Sequence, residues 1–110
     1  MTRVEVKEYL DQYRMCMAKA QRLKIDMERF SASAPSLDRE RLECVKQAQE
    51  IERIISSHED YTQREVLTRK YIFGDTLEII AEVLNFSPRH VQRIINTAAE
   101  KIGSGILKAG

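Results

Sequence analysis

The sequence predicts an all-α fold: a long N-terminal helical hairpin followed by a module of three shorter helices. Three observations carry that expectation. Apolar residues recur at three- and four-residue intervals over most of the chain, which is the period of one helix face. Charged side chains make up 32% of the 110 residues and aromatic ones 6%, with no Trp, the profile of a charge-laced helical protein. Only four Gly and two Pro are present, so strong helix breakers are confined to a few places.

The first helix is expected from about Val6 to Phe30. Its apolar positions run Val6, Leu10, Tyr13, Met17 and Ala20, then Met27 and Phe30, with Lys24 standing where an apolar residue is due. This makes one continuous seam. Ser31-Ala-Ser-Ala-Pro-Ser36 breaks the helix, because small residues and a proline disfavour it, and Ser36 is placed to cap the next one. The second helix reads from Leu37 to about His58. Leu42, Val45, Ala48, Ile51, Ile54 and Ile55 line one side, and Glu40, Glu43, Lys46, Glu50, Glu52 and Arg53 form a solvated face. Residues 1–60 thus form a hairpin, an oligomerisation or partner-binding region, with its seam either internal or shared with another copy.

Cys16 and Cys44 fall on the two arms. A hairpin folded symmetrically about Ser33 sets Cys16 opposite roughly residue 51, so the sulfurs stand about 10 Å out of step at about 1.5 Å per residue. That is beyond disulfide reach, and two reduced structural thiols are expected.

Thr62-Gln-Arg-Glu65 has the form of a capping box and predicts a helix running to Phe73, stopped by Gly74-Asp75. Thr76 caps a second short helix, Leu77 to Leu84, which Asn85-Phe86 interrupts. Ser87 followed by Pro88 opens the third, since Ser caps and Pro tolerates the first helical position. It is expected to end near Ile102 at Gly103-Ser104-Gly105, leaving residues 104–110 as a frayed tail.

Formal net charge is +1, so no global field draws the chain to nucleic acid or to an acidic membrane. Any such affinity has to come from a local patch. Residues 61–110 carry 7 basic and 5 acidic side chains, against 11 and 12 in residues 1–60. The first 24 residues have charges every three or four positions, with no apolar core for export and no segment able to span a bilayer, which predicts a cytoplasmic protein without membrane contact. His58 and His90 make no metal-ligand spacing with the cysteines. No carboxylate pair, nucleophile-base set or phosphate-cradling glycine loop is present, so neither enzyme activity nor a cofactor is expected.

The pair Leu77–Leu84 and Pro88–Thr97 meets the packing demands of a helix-turn-helix, in which two helices cross steeply over a tight turn. Ala81 supplies the small residue that close crossing needs, with Ile80 and Leu84 as inward anchors. Asn85 stands where the turn needs a residue tolerant of the left-handed region, and Phe86 plugs the corner. Val91 and Ile94, with Ala98 and Ile102, are expected to turn inward. Arg89, His90, Gln92, Arg93 and Asn96 are then left outside, the residue types that read base edges in a major groove: Arg to guanine, Gln and Asn to adenine. Candidates for phosphate contact are Thr76 and Ser87 at helix starts and Arg64, Arg69 and Lys70 on the preceding helix. Residues 61–103 are accordingly expected to be a DNA-binding domain.

The run Leu67-Thr-Arg-Lys-Tyr71-Ile-Phe-Gly74-Asp-Thr76-Leu-Glu-Ile-Ile-Ala81-Glu-Val-Leu84, followed by Ser87-Pro-Arg-His-Val91-Gln-Arg-Ile94, resembles region 4 of the sigma-70 family. In that family a helix-turn-helix of this form recognises the upstream promoter element. The likeness covers about forty residues, and the N-terminal sixty do not resemble a sigma factor. The whole chain is similar to small phage and prophage proteins that place a charged helical hairpin before a region-4-like module, some grouped as late-gene transcriptional regulators of the ArpU or RinA type. The resemblance implies a phage-derived regulator that binds double-stranded DNA with the helix from Pro88, with RNA polymerase as a further candidate partner. The apolar seam of the first helix points to a homo-oligomer, a dimer above others. The alternative is a packaging recognition protein such as the small terminase subunit of a phage, which a ring of eight or more subunits would favour. A protein-interaction module without DNA binding is the third reading.

Overall fold

The structure is a computed structural model that describes residues 1–30 and 35–109, without the side chains of Phe30 and of residues 106–109. The expected seam position Phe30 and most of the expected break at Ser31 to Ser36 therefore lie outside the described side chains and residues. Among the described residues every regular element is helical and none is a strand.

Helix α1 (Arg3–Phe30) opens on a reciprocal pair of bonds. The Glu5 amide donates to Thr2 Oγ1 at 3.2 Å, and the Thr2 amide donates to the Glu5 carboxylate at 3.0 Å. Thr2-Arg-Val-Glu5 is thus a capping box, satisfying donors at the helix start that have no partner within the helix. The same bonds hold the Glu5 carboxyl below its ordinary range.

The buried stripe of α1 is Val6, Leu10, Tyr13, Cys16, Ala20 and Leu23. This corrects the expected seam. Met17 is 44% exposed, and Cys16 and Leu23 take the inward places. The reason is that α1 changes neighbours along its length. Its first turns touch both α2 (Pro35–Ser56) and the end of the chain's last helix, and its later turns follow α2, so the stripe steps by three at Cys16 and swings round the axis.

Helix α2 begins at Pro35, placing Ser36 inside its first turn rather than at the cap, and proline suits that first position. Ala48, Ile51 and Ile55 are buried, with Cys44 and Ile54 packed beside them, whereas Leu42 is exposed. Contacts across the pair join Gln12 to Gln47, Lys19 to Glu40 at 3.2 Å, and Tyr9 to Glu50. These three are centred near residue 30, whereas the bond from the long Tyr13 side chain to Glu52 is centred between 32 and 33. The last residues of α1 therefore run past the start of α2 instead of ending level with it. That offset brings the Cys16 and Cys44 thiols, expected about 10 Å out of step, close enough for Cys44 to act on Cys16. Both are free, and burial, followed by Cys44 itself, pushes the Cys16 thiol up.

Asp60, not Thr62, caps α3 (Tyr61–Leu67): its carboxylate accepts from the Gln63 amide at 2.9 Å. The chain then continues through a π-helical stretch, Thr68–Ile72, before Gly74 turns it with φ of 78°. In that stretch Phe73 N donates to Thr68 O at 3.0 Å, five residues back. The extra residue in the turn buries Tyr71 and leaves Phe73 outside.

Helix α4 spans Leu77–Leu84 and α5 spans Pro88–Ala109. The predicted end of α5 at Ile102 is wrong, because Gly103 sits buried within the helix. A Cβ there would stand 2.5 Å from the Met1 carbonyl oxygen, so glycine admits the N-terminal residues rather than ending the helix. One core, from Val6 to Ile102, is shared by all these elements.

Candidate nucleic-acid interface

The turn before α5 decides how its first residues are presented. Asn85 ends α4 in the left-handed region at φ 59°, ψ 45°, a conformation that asparagine tolerates better than most residues. The Phe86 amide then donates to the Ala81 carbonyl at 2.8 Å. Ser87 Oγ accepts from the His90 amide at 3.1 Å, and Pro88 takes the first helical position. Ile80, Ala81 and Val91 are buried, while Leu84, Phe86 and Ile94 pack partly covered against them. Further along, Ile95, Ala98, Ala99 and Ile102 complete the inward face of α5. Ile95 and Ala99 are additions to the expected stripe. They face inward because α5 packs on α1, α3 and α4 at once, which needs a wider apolar arc than contact with α4 alone.

The five residues expected to read bases separate into two groups. Arg89, His90 and Arg93 are exposed, and among the described residues neither arginine forms an ion pair. They lie on the first turn and a half of α5, with the arginines one turn apart. The His90 ring stands edge-on to Phe86, centroids 4.8 Å apart and planes at 89°, which ties it to the corner of the turn. Gln92 and Asn96 are half-buried. Gln92 Nε2 donates to Asn96 Oδ1 at 3.1 Å, and Lys7 of α1 donates to the same oxygen. Both lone pairs of the Asn96 carbonyl are thereby used within the chain. Burial, then the neighbouring Arg3, pushes the Lys7 ammonium below its ordinary range, and Lys70 adds to that effect.

The expected phosphate contacts have visible structural duties. Thr76 Oγ1 accepts from the Ile79 amide at 3.2 Å, capping α4, and Ser87 caps α5. Arg69 pairs with Glu65 at 3.0 Å and Asp75 at 3.8 Å. Arg64 lies over the Tyr61 ring at 5.5 Å and donates to the His58 carbonyl at 3.1 Å. Lys70 is half-buried on the flank facing Lys7. Lys7 is the residue that sequence reasoning missed here: it reaches Asn96 across 89 positions, and no local pattern signals such a contact.

A cleft elsewhere, between the end of α2 and the end of α5, is lined by His58, Asp60, Glu100 and Lys101 among others. Among the described residues no three His, Cys, Asp or Glu side chains converge to hold a metal, and no helix is long and apolar enough to cross a membrane. No family model, curated protein or solved structure matches the chain.

Proposed function

We propose that this chain is a sequence-specific double-stranded DNA-binding protein, with α4 and α5 as its helix-turn-helix and the start of α5 entering the major groove. The observation that carries this reading is the exposed pair Arg89 and Arg93, held one turn apart at the start of α5 beyond the Asn85 turn, neither forming an ion pair among the described residues. An arginine in a groove can meet both acceptors of guanine at once, a geometry that a solvated ion pair would preclude. His90 and Gln92 stand beside them as further base contacts. Asn96 joins the set only by giving up its bonds to Lys7 and Gln92. Thr76 and Ser87, through helix N-termini, and Arg64, Arg69 and Lys70, through their charge, are the phosphate contacts of this reading. The resemblance of residues 67–94 to region 4 of the sigma-70 family supports a transcriptional regulator of phage or prophage type, in which α1 and α2 are left to meet other proteins.

Selection from random duplexes, followed by fluorescence anisotropy on the selected site, tests this. Arg89→Ala or Arg93→Ala should cost about 1–3 kcal/mol on that site and relax preference at one position, since each good bidentate contact has that worth. Both positions are exposed, so circular dichroism should show unchanged folding. No site selected, or unchanged affinity in both variants, overturns the reading.

A further inference from the structure

We propose that the outer face of α1 docks a second copy of this chain, with the two α1 helices running antiparallel. The expected homodimer seam is spent within the chain, since Val6, Leu10, Tyr13, Ala20 and their neighbours are buried against the other helices. A second stripe remains on α1. Val4, Asp11, Met15, Ala18, Arg22 and Ile25 recur with the seven-residue period of a helix-helix seam, and every one of them is exposed. Met15 is 71%, Val4 59% and Ile25 47% exposed, large apolar surface for one face of one helix.

The charges on this stripe name the occupant. Glu8 and Asp11 lie in the first half of the helix, and Arg22 and Arg29 in the second. Among the described residues none of the four forms an ion pair, although Arg3, Lys19, Arg41 and Arg69 all do. A parallel copy would set acid beside acid and base beside base. An antiparallel copy centred between Cys16 and Met17 sets Asp11 beside Arg22 of the other copy and Met15 beside Ala18, with Glu8 beside Ile25 and one helical turn from Arg29. A two-fold axis repeats each of these contacts, so a single helix face complements itself. A basic or an acidic partner would satisfy only half of the stripe. This proposal does not rest on the DNA reading, and loss of one leaves the other standing.

Sedimentation of the full chain over about 1 to 100 µM tests it, a range in which a micromolar dimer dissociates visibly. The expected result is a dimer. Asp11→Arg and Arg22→Asp should each raise the dissociation constant at least about tenfold, because each replaces two attractive contacts by two repulsive ones. The double variant Asp11→Arg with Arg22→Asp should return to within about threefold of the starting value, the two changes restoring opposite charges across the axis. A misfolded variant cannot be rescued in this way, so recovery separates docking from folding. Met15→Glu gives the same readout from the apolar centre. A monomer at the highest concentration, a dimer indifferent to the single reversals, or a double variant that stays dissociated each overturns the proposal.

Discussion

Gly103 illustrates what a single residue conceals. In the sequence it reads as a helix stop, because glycine favours the position just past a helix end. In the structure it is a buried helical residue whose missing Cβ leaves room for the Met1 carbonyl. Gly103→Ala should therefore destabilise the chain by about 1–3 kcal/mol through overpacking, in spite of the roughly 1 kcal/mol that alanine gains in helix propensity. Urea denaturation measures the sign, and equal or higher stability would show that the N-terminal residues yield without cost. Asn85 is the opposite case. Its tolerance of positive φ was legible because turn chemistry is local, and the backbone sits at φ 59°. Cys16, Leu23, Ile95 and Ala99 were not legible as core, because each owes its burial to helices distant in sequence. For the same reason the partnership of Lys7 with Asn96 leaves no trace in the spacing of residues.

At the scale of the element, the caps distinguish pattern from use. Thr62 and Glu65 have the right spacing for a capping box, yet Asp60 starts α3 two residues earlier and Glu65 is engaged by Arg69. Asp60→Ala should cost about 0.5–2 kcal/mol and Thr62→Ala less than about 0.5 kcal/mol, by chemical denaturation. The reverse order would return the cap to Thr62. Helix existence was legible throughout, since a 3.6-residue period needs only the sequence, and α4 begins and ends where Thr76 and Asn85 indicate. The π-helical stretch at Thr68–Ile72 was not. One residue inserted in a helical turn changes which face Tyr71 and Phe73 occupy without altering composition or period enough to show.

The whole molecule has an alkaline limit built from its tyrosines. Tyr9 is pushed up to about 12 by burial and by its bond to Glu50, and Tyr13 to about 12 by burial and by Glu52. Burial raises Tyr71 as well. An unfolded tyrosine ionises near pH 10, so the folded pKa lies above the unfolded one. The stability these groups contribute is then fully present below about pH 10 and is lost as pH climbs toward about 12. The urea midpoint should be level up to about pH 9.5 and fall beyond it, with Tyr13→Phe reducing the slope. A midpoint level through pH 12 would contradict this origin.

The contact between Gly103 and Met1 also orders events in time. Residues near position 1 and residues near 103 emerge from the ribosome a hundred positions apart, yet Met1, Arg3 and Lys7 settle against Gly103, Glu100 and Asn96. At about 5–20 residues per second the first helix waits several seconds for that covering. Through that interval α1 and α2 can cover one flank of each other, while the flank destined for α5 stays open to chaperones or to another nascent copy. Helix α5 is thus the last part of the core to be made, and its arrival closes the fold.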